Sequence, residues 1–252
     1  MSRVIDLSVP TGPGPGEPIA PQIAYQDHAA TAPLLAQIFG CAPEDLPEGQ
    51  GWASETVTLI THAGTHVDAP WHYFPTSGGE RARTIDELPL DWFVRPGVRL
   101  DLRALERGAR IEPGDLEAAV AAAGVELSPF DIVLLWTGAE EAWDTPEYFN
   151  AGSGLGREAT LWLLDRGVKV IGTDAWGLDR PFMDTRAAFE RDGDPSRIWE
   201  AHRVGIDREY CQIEKLHNLG ALPGASGYTV SCLPVKVADA SAGWCRAAAI
   251  LP

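Results

Sequence analysis

Only six histidines occur in the 252 residues, and three of them fall within His62-Ala63-Gly64-Thr65-His66-Val67-Asp68-Ala69-Pro70-Trp71-His72. His62, His66, Asp68 and His72 are separated by even numbers of residues, so an extended or gently turned chain aims all four at one side. A helix would rotate Asp68 away from His62, and Gly64 and Pro70 both argue against one. Two imidazoles and a carboxylate are the usual protein ligands of a catalytic zinc or manganese ion, with positions left open for water and substrate. Gly64 lets the backbone turn between the first two histidines, and Pro70 stiffens the run into His72. The plain alternative, histidines on a surface loop, accounts for one such residue more easily than for three with an aspartate in register.

These groups need a scaffold to converge. Residues 4–9 alternate like an opening strand, with no apolar run or cleavage site of a signal peptide. Residues 10–51 are rich in Pro and Gly and read as an irregular cover over the site, interrupted by one helix at 32–39. A β-branched strand at 55–61 leads into the histidine cluster. Further strands are expected at 97–103, 131–136, 168–174, 210–216, 228–237 and 243–251, and helices at 113–123, 157–166 and 196–204. The helix at 113–123 is the best marked: Pro113 suits its first turn, Asp115 and Glu117 its positive end, and Gly124 its stop. Helices alternate with strands in the middle and strands dominate both ends, which predicts an α/β fold. It is a mixed β-sheet core with flanking helices in a single domain spanning 1–252.

Composition narrows the partners. Forty-five per cent of residues are apolar and 22% charged, as in ordinary globular proteins. The net charge of −16 disfavours nucleic acid and anionic membrane surfaces, and no apolar run is long enough to cross a bilayer. With neither a signal peptide nor a spanning run read in the sequence, a cytoplasmic location is expected; Cys41, Cys211, Cys232 and Cys245 lack Cys-x-x-Cys spacing and read as buried reduced thiols. Gly12-Pro13-Gly14-Pro15-Gly16 fails as a phosphate loop, because its prolines remove backbone donors and Glu17 stands where a glycine is needed. Gly152-Ser153-Gly154-Leu155-Gly156 fails on spacing, and no nucleophile elbow exists. Asp174 and Asp179 read as acids that fix a loop. Trp71 and Trp176, beside the cluster and after the strand at 168–174, are candidates for an aromatic pocket around a planar small-molecule substrate.

The run from His62 to His72 resembles the signature of the cyclase-like metal-dependent hydrolases, which include bacterial kynurenine formamidase and isatin hydrolase. Val4-Ile5-Asp6-Leu7-Ser8, Gly172-Thr173-Asp174-Ala175, and His202 followed by Glu214-Lys215-Leu216 extend the resemblance over most of the chain. It implies a swivelling β/β/α-like domain and a homodimer or homotetramer. It implies that His62, His66 and Asp68 bind Zn2+ or Mn2+, that His72 is the catalytic acid/base, and that His202 and Glu214 add to the metal centre. Retention of Glu214 favours a second or strengthened site, so one or two ions per chain are expected. The activity implied is hydrolysis of a C–N or C–O bond in a formamide, lactam or lactone. The alternatives are ring closure in natural-product (polyketide) biosynthesis, with the same ion polarising a carbonyl, and a non-catalytic metal- or ligand-binding module. Retention of His72 ranks the last of these lowest.

Overall fold

The computed structural model of the chain describes residues 3–252. Strand β1 (Val4–Asp6) opens it, and β2 (Gln22–Gln26), α1 (His28–Phe39) and β3 (Ser54–Thr58) follow. The histidine cluster lies on β4 (His66–Asp68) and α2 (Pro70–Tyr73), after which β5 (Thr76–Ser77) and β6 (Glu80–Arg81) make a small hairpin. The middle of the chain supplies β7 (Val94–Asp101), β8 (Arg110–Ile111), α3 (Pro113–Ala123), β9 (Ile132–Trp136), β10 (Gly154–Leu155), α4 (Arg157–Asp165) and β11 (Val170–Thr173). Helices α5 (Phe182–Asp192) and α6 (Glu200–Val204) precede β12 (Cys211–Glu214), β13 (Thr229–Ser231), β14 (Ala242–Trp244) and β15 (Ala248–Ile250).

Nine strands form one mixed sheet in the order β1-β15-β13-β7-β9-β11-β12-β4-β14. The centre, β7-β9-β11-β12, is parallel. Both flanks are antiparallel. The unbroken apolar run of β9 explains its central place, because a parallel strand buried on both faces has no polar side. Ile132 and Leu134 join the cluster on one face, with Leu7, Trp92 and Leu219. Val133 and Leu135 join the other, against Leu116 of α3, Leu163 of α4 and Val204 of α6. The expected mixed α/β architecture is therefore present.

Helix α3 has the expected bounds: Pro113 lies in its first turn, the Asp115 carboxylate accepts from Glu112 N at 2.8 Å, and Gly124 closes it at φ 64°. Other expectations need correction. The segment 10–51 is less irregular than its composition suggests, because β2 pairs with β3 in a two-stranded ribbon outside the main sheet. The strand expected at 55–61 thus belongs to that ribbon. Helix α1 starts at His28, four residues before the expected start, because the Asp27 side chain caps it through Ala30 N at 2.9 Å, and Pro33 is accommodated inside. Helix α5 was not anticipated; its surface is mostly exposed, so it lacks a strong apolar stripe. The helix expected at 196–204 is broken: a 3-10 turn at Pro195–Arg197 precedes Trp199 in the left-handed region, and α6 begins only at Glu200. The stretch 243–251 splits into β14, at one edge of the sheet, and β15, next to the strand at the other edge.

Candidate metal centre

Strand β4 lies between β12 and β14, with His66 opposite Glu214 on one side and Trp244 on the other. Residues i and i+2 of a strand share a face, so His66 and Asp68 point together. The cross-strand register then brings Glu214 to the same place. His66 Nε2 lies 3.2 Å from Asp68 Oδ1 and 3.5 Å from Glu214 Oε2, and all three residues are buried.

His62 arrives through the turn expected at Gly64, whereas His72 departs from the extended path expected. His62 sits in the turn before β4, where Gly64 adopts φ 62°, with its Nδ1 2.8 Å from Asp68 Oδ1 and its Nε2 3.1 Å from Ser241 Oγ. His72 is on the helical turn α2, which Pro70 starts; a proline in a first helical turn loses no bond that the helix needs. The even spacing thus carries a strand rule only for His66 and Asp68. His72 Nε2 and His202 Nε2 each stand 4.0 Å from Asp68 Oδ2. Asp68 is the common neighbour of all four imidazoles. His202 comes from α6, and its Nδ1 pairs with the Asp179 carboxylate, which also accepts from Ala201 N at 2.7 Å. Asp179 therefore does fix backbone, as expected of it, and also fixes the ring of a site histidine.

The donor chemistry suits a cation. His66 Nδ1 is 2.9 Å from the Gly64 carbonyl, a pairing that requires N–H at Nδ1 and, in the neutral ring, leaves Nε2 as a lone pair. That lone pair faces two carboxylates, and neither it nor either oxygen of Asp68 makes an aligned hydrogen bond, although His62 Nδ1 stands close to Oδ1. Electron-pair donors converging in a buried site without a proton between them carry a large desolvation cost that a metal ion removes. The residues divide into two overlapping triads that share Asp68: His62-Asp68-His72 and His66-Asp68-Glu214. The first places His72 within ligand reach, whereas the sequence reading kept it apart from the ligands.

Burial and charge set the protonation states. Burial pushes His72 down, and neighbouring imidazoles add to this against the pull of Asp68, leaving it at about 4. Burial also acts to lower His202, but the Asp179 carboxylate outweighs it and raises the ring to about 9. Glu214 is raised by burial and by the charge of Asp68. Burial works against ionised Asp68, yet the surrounding imidazoles hold it well below the usual range.

A cavity of about 230 Å³ opens over this floor, lined by His62, His72, His202 and Glu214 below and by Phe149, Trp176, Phe182 and Trp199 around it. Phe149 stacks on Phe182 at 5.3 Å and meets Trp176 edge-on at 4.9 Å, while Trp199 lies flat against His202 at 4.6 Å.

Residues 5–180 match the family described as putative cyclase. The chain belongs to that family. It is 31% identical over 217 residues to kynurenine formamidase of Bordetella petrii, covering 81% of this chain and 88% of that one. It is 29% identical over 194 residues to kynurenine formamidase of Erythrobacter litoralis, covering 76% and 74%. In fold it is similar to isatin hydrolase A from Ralstonia solanacearum, with a TM-score of 0.76 at 21% identity over 100% of this chain and 92% of the other.

Of the two tryptophans expected around a pocket from their places in the sequence, Trp176 lines the cavity, but Trp71 is 40% exposed and does not. Trp71 adjoins His72 in sequence, yet successive residues on a helical turn diverge. Phe149, Phe182 and Trp199 escaped the sequence reading. Their signal is weak, because each lies at an element boundary or beside a turn that had not been recognised.

Proposed function

We propose that the chain is a metal-dependent hydrolase that opens an amide-type C–N bond in a small aromatic substrate. The observation that carries this is the meeting of His66 Nε2 and the Asp68 oxygens, buried without an aligned hydrogen bond, with Glu214 beneath an aromatic-walled cavity. The names of the relatives support the bond type. The cavity volume supports the substrate size: about 230 Å³ exceeds the roughly 150 Å³ that accepts benzene and falls short of the range of about 300–1,000 Å³ for drug-sized ligands.

His62, His66 and Asp68, with Glu214 and His202, would hold one or two Zn2+ or Mn2+ ions. Such an ion lowers the pKa of water it binds from about 16 towards 7 and polarises a carbonyl. His72, neutral at pH 7 and on the cavity floor, takes a proton during attack and returns it to the departing nitrogen. Asp179 holds His202 with its Nε2 turned inwards. Phe149, Trp176 and Phe182 stack against the substrate ring and exclude water. A homodimer or homotetramer is part of the proposal; exposed Leu34, Ile38 and Phe39 of α1 and Tyr25 and Val57 of the β2-β3 ribbon support it. Sedimentation of the purified chain tests that assembly.

The test of activity is incubation of zinc- or manganese-loaded protein with formamides of aromatic amines and with isatin. A product heavier by one water supports hydrolysis. Conserved mass, or loss of water, would replace it with the cyclase reading. Metal analysis of wild type beside Glu214→Ala sets the ion count: about two ions falling to one supports a dinuclear centre.

A further inference from the structure

The loop that carries His62 and His66 is gripped from behind by an ion pair outside the centre itself. Lys215 and Glu17 are separated by 198 residues, and both side chains are buried. Lys215 Nζ donates to both Glu17 oxygens at 2.8 Å and to the His62 carbonyl at 2.9 Å. Glu17 Oε1 accepts from Gly64 N at 2.8 Å. The Lys215 carbonyl accepts from Thr65 Oγ1 at 2.7 Å. Three points of the loop are thereby tied to this pair, residues 62 and 64 through the two side chains and residue 65 through the Lys215 backbone carbonyl.

The pair is placed with some backbone cost. Lys215 follows Glu214 directly and adopts φ 59°, which a lysine rarely does. Glu17 ends the Gly-Pro run of the N-terminal segment, and that segment lies so close to the loop that a Cβ on Gly64 would meet Thr11 Oγ1 at 2.6 Å. A solvated surface salt bridge needs none of this.

Resting on the reading of His62, His66 and Asp68 as metal ligands, we propose that Glu17 and Lys215 are positioning residues for the metal centre. They hold the 62–65 backbone so that both imidazoles face Asp68, and they couple the N-terminal segment to metal occupancy. Groups that orient metal ligands typically change affinity by about 10–100-fold when removed. Binding linkage is reciprocal, so metal binding in turn must order the N-terminal segment.

The experiment is competition of the metal-free protein against a chromophoric zinc chelator, with circular dichroism reporting that each variant is folded. Glu17→Gln and Lys215→Met are each expected to weaken zinc binding about tenfold or more. The double variant Glu17→Gln/Lys215→Met, which restores neutrality and can keep an acceptor for Gly64 N but not the donor to the His62 carbonyl, is expected to remain weak. Affinity within twofold of wild type in the folded single variants overturns the proposal, as does full recovery in the double variant. A merely structural pair would lower the metal-free melting temperature and leave the affinity of the folded protein unmoved. Should the variants not fold, the unmodified chain decides: zinc is expected to slow amide hydrogen exchange in peptides covering residues 10–20, and no change overturns the coupling. Wild type that binds no divalent ion removes the metal centre itself, an outcome distinct from wild-type binding with unaltered variants.

Discussion

The floor and the wall of the cavity are built by different means. The heart of the floor is strand-borne: His66, Asp68 and Glu214 are set by the pleat of β4 and by its register with β12, inside a nine-stranded sheet. His62, His72 and His202 gather round them from a turn and two short helices. The wall is loop-borne: Phe149 lies in a 3-10 turn, Trp176 in the segment after β11, Phe182 at the start of α5, and Trp199 at the break before α6. Hydrogen-bonded register fixes His66, Asp68 and Glu214, as suits ligation, which tolerates displacements of only about 0.5 Å. Loops tolerate exchange, so the wall can change substrate while the floor keeps its chemistry.

The contrast predicts unequal damage. Asp68→Asn, which removes the shared neighbour of four imidazoles, is expected to abolish metal retention and lower activity by more than about a thousandfold, since water then keeps its pKa near 16. Elemental analysis and turnover measure this together; retained metal would break the assignment of Asp68 as the centre of the floor. His72→Gln is expected to lower kcat by about 10²–10⁴-fold with metal content unchanged. Metal loss in that variant would move His72 into the ligand set, in the triad with His62 and Asp68.

Damage to the wall is expected to be milder and of another kind. Phe182→Ala removes ring contacts with Phe149 and Trp176, each worth about 0.5–1.5 kcal/mol. KM should rise by up to about tenfold with kcat nearly constant; a selective fall in kcat would mean that the wall takes part in chemistry.

The smallest effect concerns Asp174, which braces the loop after β9 by accepting from Thr137 N, Thr137 Oγ1 and Gly138 N. Burial pushes its carboxyl up to about 6 in spite of these bonds. A folded-state value above the unfolded one means that the folded chain holds this proton more tightly. Its contribution is therefore full below pH 4 and is lost as pH rises to about 6, by at most about 3 kcal/mol. Denaturant unfolding of wild type and Asp174→Asn at pH 4 and pH 7 checks this: the advantage of wild type should shrink at the higher pH, and an advantage that grows would reverse the sign.

Much of the floor was legible in the sequence. The ligand-type residues cluster within one run, and residues two apart on a strand share a face whatever the rest of the chain does. The mixed α/β architecture was legible for a similar reason: the apolar run of β9 and the Pro113–Gly124 signals of α3 act locally. The turn at Gly64 that carries His62 was legible, but the path of His72 was not, because Pro70 breaks an extended run yet also begins a helical turn, and local sequence does not choose between them.

Residue type and short-range spacing, by themselves, determined that His62, His66, Asp68 and His72 could act together and that strands and helices would alternate in the middle of the chain. Only the tertiary structure decided that Glu214 stands opposite His66, that Asp179 holds His202, that Phe149, Phe182 and Trp199 close the cavity while Trp71 faces outwards, and that Glu17 meets Lys215 across the chain. Those contacts join residues tens to hundreds of positions apart. Each depends on sheet register and on turns such as that at Trp199, which are settled by burial of the whole core and leave little trace in any local pattern.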